Sequence, residues 1–177
     1  KKHPKALPFL FFSEMWERFG YYLMIGIFLL YLKNVEHGFA MTNTEASDLY
    51  GTFIALVFLT PFIGGLLADR YFGYRRSIIA GGLMMGAGYC LMAVHSLPML
   101  YLSMTLVIVG NGFFKPNIST LLGNLYSTPA FEKRKDEGYN IFYMGINIGA
   151  FICNFFSTAI IIVWGWKYAF VAAGIGM

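Results

Sequence analysis

The chain has 177 residues, of which 58% are hydrophobic, 19% are aromatic and only 12% are charged, with a net charge of +4. Its mean hydropathy of +0.60 is too high for an ordinary water-soluble domain, so the composition predicts a protein that crosses a membrane several times. The basic excess does not indicate a nucleic-acid partner, because Lys and Arg residues lie mainly at the ends of apolar segments, where topology and anionic lipid account for them.

Five apolar segments are long enough to cross a hydrocarbon core of about 30 Å, and a sixth begins near the end of the sequence. The short connections predict that successive helices pack as antiparallel neighbours. We therefore predict an all-α membrane protein in which residues 1–177 form one six-helix bundle, and the cut-off last run suggests a fragment of a longer chain. The predicted spans are residues 6–32, 45–68, 77–94, 99–122, 139–163 and 166–177.

The distribution of basic residues predicts how these spans are oriented. Of the 13 Lys and Arg residues, nine fall before the first span or in the second and fourth loops, two fall in the other loops and two lie within spans. Because basic loops stay on the cytoplasmic side of a membrane, we expect a cytoplasmic amino terminus.

The first span carries three ionisable side chains at its centre, Glu14, Glu17 and Arg18. With Tyr21 they follow the i, i+3, i+4, i+7 spacing that places side chains on one helix face. A charge at the centre of a membrane helix costs roughly 2.5–3.5 kcal/mol on insertion scales, so such residues are usually functional. The alternative, a purely structural ion-pair cluster, explains them poorly because buried pairs seldom stabilise a protein more than apolar residues do. We interpret this face as a site for proton and anion binding.

The loop after the second span reads GGLLADRYFGYRR over residues 64–76. In it Asp69 lies close in sequence to three arginines, so charge-assisted hydrogen bonds could hold helices together in one conformation and release them in another. A simple positively charged anchor is the alternative. We expect gating roles, and no substrate contacts, for Asp69, Arg70, Arg75 and Arg76.

The fourth and fifth spans add a second buried base and a close-packing motif. Lys115 precedes Pro116, and Pro61 lies within the second span. Each proline within a helix leaves a backbone carbonyl without its N–H donor, so neighbouring groups must donate to that carbonyl. In the fifth span Gly145 and Gly149 form a GxxxG pair, which favours close packing between helices.

Three segments resemble signatures of the proton-dependent oligopeptide transporter family of the major facilitator superfamily. They are EMWERFGYY from residue 14, GNGFFKPN from residue 110 and FYMGINIG from residue 142. The loop at residues 64–76 is similar to the superfamily signature between the second and third helices. The resemblance covers the whole chain and implies the amino-terminal half of a twelve-helix transporter.

What the resemblance implies is symport of di- and tripeptides with protons across the bacterial cytoplasmic membrane, by alternating access with a carboxy-terminal six-helix half. Many bacterial members carry a second arginine where this chain has Ile25, which leaves carboxylate recognition more to Arg18 and Lys115. The resemblance implies proton coupling by Glu14 and Glu17, and substrate binding by Arg18, Tyr22, Lys115, Tyr143 and Asn147.

Two other functions remain open from the sequence. Related plant transporters carry nitrate and other anions, which a pocket with two cations would also accommodate. A membrane-embedded enzyme or a non-transporting scaffold belongs to a different class. The sequence shows no pairing of a nucleophile with a base, no metal-ligand cluster and no phosphate loop, so we expect neither an enzyme nor a bound cofactor or metal.

Overall fold

The computed structural model describes residues 3–177, and these residues are helical apart from short connections. Six long helices form within this range, so the predicted all-α, six-helix architecture is confirmed. Two short turns join them, a π-helical turn at Ala68–Phe72 and a 3₁₀ turn at Glu132–Arg134. The long helices are α1 Leu7–Lys33, α2 Asn43–Leu67, α3 Tyr74–Met92, α4 Leu97–Leu125, α5 Lys135–Trp164 and α6 Trp166–Gly176.

By length and composition, three segments among residues 3–177 are apolar enough to cross a membrane: Asn43–Phe72, Leu97–Leu125 and Glu132–Trp164. Helix α1 has 27 residues, which is long enough as well, but its charged centre lowers its hydropathy. Helix α5 begins at Lys135, four residues before the predicted span. Its first turn carries Asp136 and Glu137, which favour a helix amino terminus although they do not belong to an apolar run.

The helices do not pack in the order in which they follow each other along the chain. Helix α1 packs mainly on α5 and α6, while α4 packs on α2 and α3. The prediction that all successive helices are neighbours is therefore wrong for two pairs. Helices α4 and α5 hardly touch, and α2 and α3 meet mainly through the turn at Ala68–Phe72. The connection over residues 126–134 is long enough to carry the chain from one group of helices to the other.

Glycines set the distance between α1 and α5. A Cβ atom added to Gly149 would lie 3.1 Å from the Cβ of Arg18 and closer still to the Met15 carbonyl. One added to Gly145 would lie 3.1 Å from the carbonyl of Phe11. The predicted packing role of this glycine pair is confirmed, and α5 lies directly against the backbone of the charged turn in α1.

A side chain of α4 compensates for the proline in α2. Pro61 has no N–H to donate to the carbonyl of Val57, four residues earlier. Asn111 of α4 donates to this carbonyl instead, with 2.9 Å between its Nδ2 and the Val57 oxygen. The expectation that a neighbouring helix satisfies the carbonyl freed by Pro61 is confirmed. This hydrogen bond also fixes Asn111 against α2.

Candidate functional site

Three charged residues near the middle of α1 form one buried cluster in the interior of the bundle. Glu14, Glu17 and Arg18 are 4%, 0% and 7% exposed. The Nε atom of Arg18 lies 3.3 Å from Oε1 of Glu14 and also donates to Oε2 of Glu17. A single guanidinium nitrogen thus faces both carboxylates, which neutralises much of the charge that burial makes costly.

This cluster keeps unused hydrogen-bonding capacity. Among residues 3–177, Oε2 of Glu14, Oε1 of Glu17 and Nη2 of Arg18 are buried without a hydrogen-bond partner. The guanidinium also lies over the ring of Tyr21, 4.8 Å from its centroid. Two acceptors and one donor therefore remain available to a proton, a water molecule or a substrate.

The second cation, Lys115, has a different environment. Its Nζ lies 5.6 Å from the ring centroid of Tyr21 and 5.3 Å from that of Phe58, and the side chain is partly exposed. No carboxylate lies within 4.0 Å of it in the part of the chain that the structure describes. Its ammonium is held by two aromatic faces and not by an acid.

The aromatic and amide residues implied for the substrate pocket lie at the surface of the bundle. Tyr22 is partly buried, with its ring 5.4 Å from that of Tyr21 in an edge-to-face arrangement. Tyr143 is 55% exposed. Asn147 is exposed too, and its amide donates to the carbonyl of Tyr143 at 3.2 Å.

Helix geometry places Tyr143 at the depth of Lys115. The hydroxyl of Tyr139 on α5 donates to the carbonyl of Ser119 on α4 at 3.2 Å. This contact places Tyr139 and Ser119 at the same height along the two antiparallel helices. Lys115 and Tyr143 each lie four residues from this contact in the same direction, or about 6 Å along the helix axis. The structure thus brings an exposed tyrosine of α5 level with the free ammonium of α4.

Ile25, where the resemblance implies a second arginine in many bacterial members, adds no charge to the surface of the bundle. Its side chain is 37% exposed, and its backbone carbonyl accepts a hydrogen bond of 3.1 Å from the hydroxyl of Tyr50 on α2. The surface of α1 at this position is therefore apolar.

The residues predicted for gating all lie in or next to the exposed turn between α2 and α3. Within residues 3–177, none of the three arginines forms an ion pair with Asp69 within 4.0 Å. Asp69 faces the hydroxyl of Tyr74, and the Arg70 guanidinium lies 5.8 Å from the ring centroid of Tyr71. Gly73 follows the turn with a φ of 75°, a conformation that favours glycine. All four residues predicted for gating are exposed: Asp69, Arg70, Arg75 and Arg76.

Sequence reasoning missed Asn111, which lies beside the buried cluster. Its side chain is 2% exposed, and it lines a small cavity together with Glu17. The available signal was its position one helical turn before Lys115, as a polar residue in an apolar span. Among the described residues, no three His, Cys, Asp or Glu side chains come together as metal ligands.

Comparisons with known proteins agree with this architecture. Residues 15–177 match the Major Facilitator Superfamily. The chain is 38% identical to the uncharacterized transporter YclF of Bacillus subtilis, over 99% of this chain and 36% of that protein. It is also 38% identical to dipeptide and tripeptide permease A of Yersinia pestis, over 99% of this chain and 34% of the permease.

Two groups of solved structures are similar. A crystal structure of a peptide transporter POT in complex with sulfate has a TM-score of 0.91 and 38% identity, covering 98% of this chain and 36% of that one. A POT family transporter in complex with 5-aminolevulinic acid has a TM-score of 0.90 and 33% identity, with 98% and 36% covered. The resemblance carried by the three motifs is therefore confirmed, and the chain spans about a third of the length of these relatives.

Proposed function

Because this chain belongs to the Major Facilitator Superfamily and is a multi-pass membrane protein, we propose that it is the amino-terminal bundle of a transporter that carries di- and tripeptides together with protons. Relatives named as dipeptide and tripeptide permeases, together with the shared fold, support this substrate class. A carboxy-terminal six-helix half would complete the site, with alternating access produced by the two bundles rocking about it.

The observation that carries the proposal is the contrast between the two cations. Arg18 is engaged by Glu14 and Glu17, whereas Lys115 has no carboxylate within 4.0 Å among residues 3–177. A partly desolvated ammonium without an acidic partner is suited to bind an incoming carboxylate. The carboxyl end of a peptide supplies such a group, so we assign its recognition first to Lys115.

The buried cluster supplies the proton coupling. A proton bound by Glu14 or Glu17 removes one negative charge facing Arg18, and the guanidinium then has more capacity for a substrate carboxylate. Loss of the proton restores the ion pairs and releases the substrate. Transport of peptide and proton would in this way be linked by competition for the same positive charge.

The remaining assignments concern the surface that would face the second half. Tyr22, Tyr143 and Asn147 line the peptide pocket beside Lys115, consistent with the exposure of Tyr143 and Asn147. We propose that the exposed turn between α2 and α3 acts in gating by pairing with groups outside this bundle. Its residues in this role are Asp69, Arg70, Arg75 and Arg76.

We place the amino terminus and this turn on the cytoplasmic side of a bacterial cytoplasmic membrane. The supporting observation is the distribution of basic residues, which cluster before the first span, in the turn between α2 and α3, and at residues 133–135. Cysteine accessibility tests this orientation: a cysteine at Ser127 should react with a membrane-impermeant reagent only after the membrane is opened.

Uptake by proteoliposomes that contain the full-length parent protein tests the function. A labelled dipeptide should accumulate when an inward proton gradient is imposed, and a protonophore should abolish accumulation. Nitrate is measured in parallel with the same vesicles. Proton-stimulated nitrate uptake without peptide uptake would replace the peptide assignment by the anion-carrying alternative.

A further inference from the structure

Two buried oxygen atoms on different helices lack partners beside the same small cavity. Among residues 3–177, neither Oε1 of Glu17 nor Oδ1 of Asn111 has a hydrogen-bond partner, although their residues are 0% and 2% exposed. Both residues line one cavity of about 10 Å³, which has room for at most about one water molecule. Its other walls are formed by Tyr21, Met24, Phe53, Val57, Met85, Tyr89 and Val107.

The orientation of the Asn111 amide is fixed by its other partner. Its Nδ2 donates to the carbonyl of Val57, which Pro61 has left without an intrahelical donor. A flipped amide would place its own oxygen against that carbonyl, so two acceptors would face each other. Oδ1 therefore points away from the Val57 carbonyl and remains an acceptor.

Two unsatisfied acceptors in an apolar cavity are costly unless a hydrogen is placed between them. Tyr21 and Tyr89 also line the cavity, but neither hydroxyl donates to these two oxygens. When Glu17 is ionised it accepts only, and when it is protonated it also donates. A protonated Glu17 is the one state of this residue that supplies the missing donor.

We propose that Asn111 is a positioning residue for the coupled proton: it accepts the hydrogen bond of protonated Glu17 and so stabilises the loaded state of the carrier. This inference rests on the proposed function and assigns the transported proton to Glu17, with Oε1 as its site. In the loading step a proton from the outer solution binds to the carboxylate, either directly or through one water molecule. The resulting O–H donates to Oδ1 of Asn111, while Oε2 keeps a weakened contact with Arg18. The same proton leaves to the inner solution when the carboxylate re-forms its full ion pair.

Other charged and titratable groups near Glu17 act on the same equilibrium. Helix α2 contributes only apolar side chains to the cavity, and α5 brings the Cys153 thiol near Tyr89. The positive charges favour the ionised carboxylate, whereas burial favours the protonated one. The hydrogen bond that Asn111 accepts also favours the protonated carboxyl group of Glu17. The facing groups are Glu14, Arg18 and Tyr21 of α1, Tyr89 of α3 and Lys115 of α4.

Replacement of the acceptor by an apolar side chain of similar size tests the proposal. In Asn111→Leu, protonated Glu17 loses one buried hydrogen bond, so a lower pH is needed to load it. The midpoint of the pH dependence of dipeptide uptake should move toward acid by roughly half to one pH unit, the equivalent of one net hydrogen bond. An unchanged midpoint in a folded, transporting Asn111→Leu protein overturns the proposal.

The chain offers a matched control on the same helix. Asn117 is 1% exposed, and its amide donates to the carbonyl of Phe113 within α4 at 2.6 Å. It does not line the cavity beside Glu17. Asn117→Leu should therefore leave the pH midpoint unchanged. An equal acid shift in both variants would assign the effect to general damage of α4 and would overturn the role of Asn111.

A second variant separates proton binding from support of the proline kink. Pro61→Ala restores an N–H four residues after Val57, so the Val57 carbonyl no longer depends on Asn111. If Asn111 serves only that carbonyl, Asn111→Leu in the Pro61→Ala protein shifts neither stability nor the pH midpoint. The proposal expects the stability to be restored and the acid shift to persist.

Infrared titration of the purified full-length protein separates this proposal from the proposed function. The carbonyl band of protonated Glu17 is the one removed by Glu17→Gln, and Asn111→Leu should move its titration midpoint to lower pH. A shifted band in a protein that takes up no peptide keeps the Asn111 assignment and rejects the peptide substrate. Peptide uptake with an unshifted band keeps the function and rejects the assignment.

Discussion

Two clusters of this molecule place an arginine beside a glutamate, and their environments differ. In the buried cluster of α1, Arg18 faces two carboxylates whose residues are at most 4% exposed. In the cluster between α4 and α5, which we call the loop cluster (His3, Tyr126, Arg134 and Glu137), Arg134 Nη2 lies 2.6 Å from Glu137 Oε2 and the Glu137 side chain is 56% exposed. His3 lies 2.6 Å from the Tyr126 hydroxyl and 3.6 Å from the same Glu137 oxygen.

Contact distance alone does not set the importance of an ion pair. Water reaches both side chains of the Arg134–Glu137 pair, which are 35% and 56% exposed, so this pair contributes little to stability. Within the buried cluster, each charge depends on its partner because water cannot take the place of a removed group. Such an arrangement costs desolvation and is better explained by the movement of a charge, here the proposed proton, than by stability.

The largest effect is expected from Arg18→Leu. This change leaves Glu14 and Glu17 buried without their cation, and breaking a buried pair costs about 3–5 kcal/mol. We expect a large fall in the unfolding temperature of the full-length protein in detergent, together with loss of uptake. Arg76→Leu makes the same exchange at an exposed position and should leave the unfolding temperature nearly unchanged. Equal falls in both variants would show that the buried cluster is not distinctive.

Glu17→Gln should have the next largest effect. The effect should be confined to the coupling of peptide transport to the proton gradient. Glutamine keeps the shape of the side chain but cannot gain or lose a proton in this pH range. Accumulation driven by a proton gradient should be abolished, whereas exchange of labelled for unlabelled peptide should continue. Both are measured with the same proteoliposomes. Retained gradient-driven accumulation would remove Glu17 from the coupling role and leave Glu14 to be tested next.

Lys115→Ala tests the free cation and should have a moderate effect. The ammonium is proposed to bind the carboxyl end of the peptide, so a dipeptide with a free carboxylate should bind about tenfold more weakly, corresponding to a charged hydrogen bond of about 1.4 kcal/mol. An amidated dipeptide should be affected much less. Competition for uptake by the two peptides measures the difference, and equal weakening would indicate a structural role for Lys115.

The sequence was sufficient for the helices and for the residues of the buried cluster, because both depend on local patterns. Apolar length and the spacing of Glu14, Glu17 and Arg18 are properties of one helix. The motifs also led to the family, and the GxxxG pair at Gly145 and Gly149 correctly predicted close packing. The roles proposed for these site residues stay predictions.

Features that depend on contacts between two or more helices could not be predicted from local sequence patterns. The sequence placed Lys115 in the membrane, but only the packing of α2 against α4 shows that Phe58 lies beneath its ammonium. Asn111 was overlooked because its significance needs both the carbonyl freed by Pro61 and the cavity beside Glu17. The prediction that α4 and α5 are neighbours was wrong because the length of a loop limits which helices can be adjacent but does not determine which of them are.

The smallest effect is expected from Glu137→Gln in the loop cluster. The change removes the acidic partner of Arg134 and weakens the approach of His3, but water can solvate each of these groups. Stability should change by less than about 1 kcal/mol, and the change should shrink further in high salt because exposed charges are screened. Unfolding of the full-length protein in low and high salt measures this. A loss comparable to that of Arg18→Leu would mean that the contact joining the amino-terminal segment to the start of α5 is structurally essential, and that burial does not separate the two clusters.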